Sequence, residues 1–266
     1  MKNITFSERN DIEKILLSGE VTQDSVVSVI SSMAKYNLNV HQMSDEENYT
    51  SITQWLESHY KYYVETELHS TIQQKIKAAH EYNLLESDDL IIYKSELDVI
   101  LQSGDIKKEK VLFVILCIAK LQKNIFGYRN GKFKFALTNI FKLARVHIPS
   151  KDRNMFMHDL KDAGYINPPF KVSDEHRYIT FMSDGENDTE VLRVSESDFD
   201  ELAYEYESWR NNGIGFTRCY KCHKLMRQSK TKPRKYCKEC AQIIQREQKR
   251  QWANKCRKNL TEDLDI

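Results

Sequence analysis

Glycine and proline are scarce in this chain, with 8 and 4 residues among 266. So few turn formers exclude a fold of many short, tightly connected strands and leave helices as the main element. Long apolar runs are missing too. The longest, Val111 to Ala119, has nine residues, about half of the roughly 20 that a membrane-spanning helix needs. The opening MKNITFSERN has no apolar signal core, so the expected location is the cytoplasm. No Walker loop, G-x-S-x-G turn or H-E-x-x-H motif occurs, and those absences remove the commonest phosphate-binding, nucleophilic and metalloprotease sites. The histidines do not cluster with carboxylates at ligand spacing. The expectation is a protein that acts by binding, not an enzyme. What is present, 40% hydrophobic and 11% aromatic residues, is too apolar to stay disordered and long enough for two or three domains.

The net charge of +1 conceals separated blocks. Residues 1–106 hold 8 basic and 18 acidic side chains, and residues 107–161 hold 13 basic and 3 acidic. The sign then reverses twice more, with 4 basic and 13 acidic in 162–217 and 15 basic and 2 acidic in 218–258. A positive block raises the local concentration of nucleic acid through its field, whereas opposite blocks can also neutralise one another.

An internal repeat organises the first two hundred residues. Residues 10–35 align with 95–120 at an offset of 85, with nine identical pairs in 26 positions. Val26/Val111, Val29/Val114, Ile30/Ile115 and Ala34/Ala119 are among them; Leu56/Phe141 continues the match and, with one residue deleted, so does Ile76/Leu160. Each unit reads as a short helix ending at Ser-Gly, a long apolar helix, two further helices and a pair of short strands, which is the order of a winged helix. In the second unit the helices are expected over Lys108–Lys123, Phe135–Arg145 and Pro149–Asp162, followed by strands over Tyr165–Val172 and Tyr178–Met182. In the first, Thr66–His80 is the last helix, and Leu84-Leu85 with Leu90–Tyr93 form a tighter wing. The domains are then 1–94, 95–195, a linker helix over 196–212, and 213–266. A helix-turn-helix offers the start of its last helix to the major groove, here Lys151, Arg153, Asn154 and His158. Arg129, Lys132 and Lys134, with Lys142 and Arg145, are the candidates for phosphate.

The strongest chemical pattern is Cys219, Cys222, Cys237 and Cys240, spaced C-x2-C-x14-C-x2-C. Two pairs of thiolates at this spacing can enclose a tetrahedral Zn²⁺, and four sulfurs leave no open position, so the site is expected to be structural. An iron–sulfur cluster is the competing occupant. The stretch after Cys240 has no Gly or Pro to about Asn259 and should be a helix. Two ligands at its start suggest a treble clef. Arg246, Arg250 and Arg257 share a stripe with Lys249 beside them, and Ile244 and Trp252 are expected to pack inward. Cys117 should be an inert buried thiol.

The finger pattern, Cys-Tyr-Lys-Cys, then Lys-Tyr-Cys-Lys-Glu-Cys and a Gln/Arg/Lys-rich helix, resembles short treble-clef fingers attached to many phage and mobile-element proteins. The resemblance covers about forty residues, and it implies nucleic-acid binding in such a setting. Treble clefs also host HNH nucleases, but the second histidine and spare carboxylate that their catalytic metal needs are missing near His223. The expected fold is mainly α (α+β): two tandem winged-helix-like units, then a treble-clef zinc finger with a basic helix. The expected partner is nucleic acid, DNA before RNA, in transcription or replication control. Lys221, Lys224, Arg227, Lys230, Lys232, Arg234, Lys235, Arg246, Lys249, Arg250 and Arg257 are the phosphate contacts, and Arg129, Lys132 and Lys134 a further grip. The rival expectation is an adaptor or inhibitor that docks on a protein through the acidic segments; a third is that those segments fold back on the finger.

Overall fold

The computed structural model describes residues 6–128, 131–167, 176–229 and 233–262, with 254–262 by backbone alone. Its elements are α1 (Glu8–Ser18), α2 (Val26–Asn39), α3 (Asp45–His59), α4 (Glu65–Ala79), β1 (Leu90–Tyr93), α5 (Lys94–Leu101), α6 (Ile106–Phe126), β2 (Lys132–Phe133), α7 (Leu137–Leu143), α8 (Arg153–Asp162), β3 (Ile166–Asn167), β4 (Arg177–Ile179), β5 (Glu190–Val194), α9 (Leu202–Arg210), β6 (Phe216–Arg218), β7 (Leu225–Arg227) and α10 (Lys238–Glu262). Single 3-10 turns, Ser150–Asp152 and Glu196–Glu201, precede α8 and α9. The chain is mainly helical, and no helix among the described residues is long and apolar enough to cross a membrane.

Two compact units divide between Asp88 and Asp89, with Asn124–Phe126 counted in the first. In the first unit Ser7 caps α1 through the Asn10 N–H, and Gly19, at φ 67°, ends it in the left-handed region that glycine adopts without strain. A reciprocal capping box of Ser44 and Glu47 opens α3. The helices close on Ile12, Ile30, Met33, Ile52, Leu56 and Ile72, all buried. Within that core Asn37 donates to Asn48 at 3.0 Å and Asn48 donates to the Ala34 carbonyl at 2.9 Å, which ties α2 to α3. The expected wing does not form here. The backbone of 85–87 pairs instead with the segment ahead of α1, Glu8 N donating to Leu85 O at 2.8 Å and Ser87 N to Phe6 O at 2.9 Å.

The second unit is built on α6, whose residues Val111–Ala119 are buried on every side, as a helix without a polar face must be. The strand β1, read from sequence as part of a wing, pairs antiparallel with β5, Leu90 opposite Val194. Between them they carry Leu90, Ile92 and Val194 into the core. A second sheet has the order β2-β4-β3, all antiparallel. Its strands alternate with α6, α7 and α8 in the sequence helix, strand, helix, helix, strand, strand. The acidic turn expected at Asp174-Glu175 lies outside the described residues.

Repeat-related positions do the same work in both units: Val26 and Val111, Val29 and Val114, Ile30 and Ile115, Ala34 and Ala119, Leu56 and Phe141, and Ile76 and Leu160 are all buried. Charges are also buried in unit two. Glu96 is fully buried and accepts from Lys120 Nζ at 2.8 Å, Tyr93 N at 2.9 Å and Ser183 N at 2.8 Å. Glu109 accepts from the Tyr206 hydroxyl at 2.9 Å and from Arg210 at 2.7 Å. The segment 196–212, expected as a linker helix, contains α9, on which Leu202, Ala203 and Tyr206 are buried and Tyr206 packs its ring on Phe113.

Candidate metal centre and basic surface

The short hairpin β6–β7 carries the first cysteine pair, and the start of α10 carries the second. Cys219 follows β6 directly, and Cys219 N donates to Lys224 O at 3.0 Å while His223 N returns to Cys219 O at 2.9 Å. That tight knuckle needs one residue in the left-handed region, and His223 takes it at φ 58°. The chain between the pairs is clasped by Gln228, which donates to Arg234 O at 2.8 Å and accepts from Arg234 N at 2.7 Å. Cys237 stands just before α10 and Cys240 lies in its first turn.

The folding brings the four sulfurs together: all lie within 4.8 Å of one another. The Cys222 to Cys237 separation is 3.7 Å, against about 3.8 Å between ligands of a tetrahedron with metal–sulfur bonds near 2.3 Å. Backbone donors support the sulfurs, Cys237 N to Cys219 Sγ at 3.3 Å and Cys240 N to Cys237 Sγ at 3.4 Å. Burial opposes the Cys219 thiolate, yet the backbone N–H groups of Cys222, Cys237 and Lys221 outweigh it and bring the thiol down to about 6. Burial pushes the Cys237 and Cys240 thiols up, and a cation between thiolates held this close would favour their charged forms. The apolar support is small. Only Met226 and Tyr236 join the cysteines in this cluster, too little apolar area to fold a forty-residue segment by itself. The arrangement therefore has the donor set and spacing of a metal site.

The basic residues fall into two sets. Lys224 reaches Asp200 at 3.4 Å, Arg227 reaches Glu207 at 3.8 Å and Lys221 reaches Glu247 at 3.6 Å. Arg218, which carries no motif in the sequence, is the most committed: it holds Asp198 at 2.6 Å and Glu205 at 3.3 Å. Arg234, Lys235, Arg246, Lys249 and Arg250 are exposed, with no acidic partner within 4.0 Å among the described residues. Lys132 lies over the Tyr128 ring at 5.3 Å, and the Lys134 backbone is clasped by Gln122 at 2.9 Å. Arg129, Lys230, Lys232 and the Arg257 side chain lie outside the described residues, as does the Cys256 side chain.

Two further expectations change. Trp252 does not pack inward; it is 71% exposed on α10, and an apolar position on a helix is buried only where another element covers it. Arg153 is turned to a structural task, donating to Ile148 O at 3.1 Å and Thr138 Oγ1 at 3.0 Å. Lys151, Asn154 and His158 are exposed. Cys117 is fully buried and burial pushes its thiol well up, which makes it inert. Comparison of the chain with protein-family models, with curated proteins and with solved structures gives no match. The functional reading therefore stands on the geometry alone.

Proposed function

We propose that the chain is a nucleic-acid-binding protein, with DNA as the preferred partner, that grips phosphates through a four-cysteine zinc finger and its basic helix. The observation that carries this reading is the division of the basic side chains. Those nearest α9 are neutralised, whereas Lys235, Arg246, Lys249 and Arg250 project from the finger and α10 without acidic partners among the described residues. A helix polar on nearly every face, with an exposed Trp252, gains stability by lying along a polyanion, where stacking and charge both contribute. Zinc is the proposed metal because four thiolates in a closed set select it.

The element order of unit two and its β2-β4-β3 sheet support a winged helix, with α8 as the groove-facing helix and Lys151, Asn154 and His158 as its exposed side chains. Lys132 and Lys134 on β2 and the following turn add phosphate contacts. A treble clef, in a phage or mobile-element setting, belongs to the same reading. It acts in transcription or replication control, by binding and not by catalysis. The adaptor reading is weakened in 196–207, where Asp198, Asp200, Glu201, Glu205 and Glu207 are all engaged by cations of the same unit.

The test is fluorescence anisotropy with labelled duplex DNA, single-stranded DNA and RNA over a salt series. With six or more phosphates engaged, affinity should fall by roughly three decades between about 50 and 200 mM salt. Replacing Arg246, Lys249 and Arg250 with Ala should lower the salt slope by about three. A flat salt response in the unaltered protein overturns the proposal.

A further inference from the structure

A cleft of about 530 Å³ opens in unit two between the start of α6, the turn after α7, the end of α9 and β7. Five cations line it, Lys107, Lys110, Arg145, Arg210 and Arg227, with His147 beside them and one carboxylate, Glu207. Two arginines are held from behind. Arg210 is fixed by Glu109 at 2.7 Å, and Arg145 by Glu201 at 2.5 Å and by the Tyr204 ring at 4.2 Å. Lys107 and His147 are exposed and have no ion-pair partner among the described residues.

Two observations point to a ligand and not merely to a solvated basic patch. Glu207 is 9% exposed, and its Oε1 accepts from Lys110 Nζ at 2.7 Å. Its Oε2 is buried without a hydrogen-bond partner, the Arg227 Nη2 standing off at 3.8 Å. A buried carboxylate oxygen without a hydrogen-bond donor is costly, and a donor brought by a ligand removes that cost. The second observation is the backbone of Arg145. It ends α7 in a Schellman turn, Val146 N donating to Phe141 O at 3.1 Å and Arg145 N to Lys142 O at 3.1 Å. Arg145 sits at φ 50° in that turn, the position glycine usually fills. An arginine there carries backbone strain that a glycine would not, and its guanidinium stands at the cleft.

We infer that this cleft binds a nucleotide, its phosphate among Lys107, Arg145 and Arg210 and a base N–H on Glu207 Oε2. Ile106 and Val146 supply apolar surface for the base. Cations lining the cleft and one buried acceptor without a hydrogen-bond partner match a ligand that is anionic at one end and a hydrogen-bond donor at the other. A volume of this size suits a ligand of that class. The same chemistry is offered by a free nucleoside monophosphate and by a terminal or unstacked nucleotide of a strand. The inference goes beyond the finger, since Lys107, Arg145 and Glu207 are no part of it.

The experiment is isothermal titration of the full chain with the four nucleoside 5′-monophosphates, with inorganic phosphate and with a 5′-phosphorylated single strand. At least one nucleotide should bind more tightly than inorganic phosphate, and Lys107→Ala and Arg145→Gly should each weaken it about tenfold. Arg145→Gly relieves the backbone strain, so a thermal midpoint that does not fall separates lost binding from lost folding. Glu207→Gln should weaken nucleotides while leaving inorganic phosphate unchanged. If only the strand responds to Lys107→Ala and Arg145→Gly, the source is a strand and the inference holds. It is overturned if inorganic phosphate binds as tightly as every nucleotide and as the strand, or if neither variant changes any titration. Should the Arg246, Lys249 and Arg250 triple variant still bind the strand while Lys107→Ala does not, the finger reading fails and the cleft stands.

Discussion

Glu205 is a side chain whose cost is built into the fold. Burial and the neighbouring Asp198 push its carboxyl up to about 7, Arg218 only partly offsetting them, with Glu201 adding to the repulsion. A carboxyl raised in the folded state contributes stability that is complete below its unfolded value and is lost as pH rises toward the folded value. The protein should therefore lose stability between about pH 4.5 and pH 7, by an amount of the order of 2–3 kcal/mol. Replacing Glu205 with Gln should remove that decline. The check is the difference in unfolding midpoint between the two proteins from about pH 5 to pH 8, chosen so that it brackets the raised value. A constant difference across the range would show that Glu205 is ionised in the fold throughout. At this scale the sequence was legible where chemistry is local. Four cysteines at fixed spacing announced their cluster, and Cys117 announced its burial from an apolar helix. Glu205, Glu207 and Arg218 carried no such mark, because what sets their state is supplied by residues up to 97 positions away, as for Lys110 and Glu207.

Elements were legible in proportion to how locally they are determined. The stop at Gly19, the buried face of α2 and the extent of α6 follow from periodicity and cap residues within a few turns. The pairing of β1 with β5 joins segments about one hundred residues apart, and nothing in four apolar residues names a distant partner. The orientation of Trp252 was illegible for a related reason: an amphipathic pattern says which face is apolar, not whether another element covers it. The finger is the element whose stability depends most on something other than packing. Its apolar support beside the cysteines is small, chiefly Leu225, Met226 and Tyr236 among the described residues, whereas binding of a structural zinc would supply roughly 10–16 kcal/mol. Native mass spectrometry should find one metal ion per chain. Chelation, or Cys237→Ser, should remove the hydrogen-exchange protection of β6, β7 and the first turn of α10 while leaving α2 and α6 protected. Persistence of the hairpin's protection in metal-free protein would mean that the sulfurs cluster without a metal.

At the scale of the molecule, the alternating charge blocks resolve partly into contact. The acidic stretch before the finger and the finger's own cations meet through Asp198 and Glu205 with Arg218, Asp200 with Lys224, and Glu207 with Arg227. This is neutralisation, but a selective one, since α10 keeps its cations. It also means that the finger cannot be cut away cleanly. A chain ending at Asn212 loses Leu225 and Met226, both buried, and strips Asp198 and Glu205 of the guanidinium that holds them. Leaving buried carboxylates without their cation costs about 3–5 kcal/mol, so the truncated chain should melt well below the full one. Its failure to bind nucleic acid would then confound lost contacts with a loosened α9. The Arg246, Lys249 and Arg250 triple variant changes only exposed side chains, and its stability should stay within about 0.5 kcal/mol per site. Measured side by side, the truncation should lose both stability and affinity, and the triple variant affinity alone. If the truncation melts with the full chain, the ion pairs between α9 and the finger contribute nothing to unit two, and the two parts of the chain can be treated as independent modules.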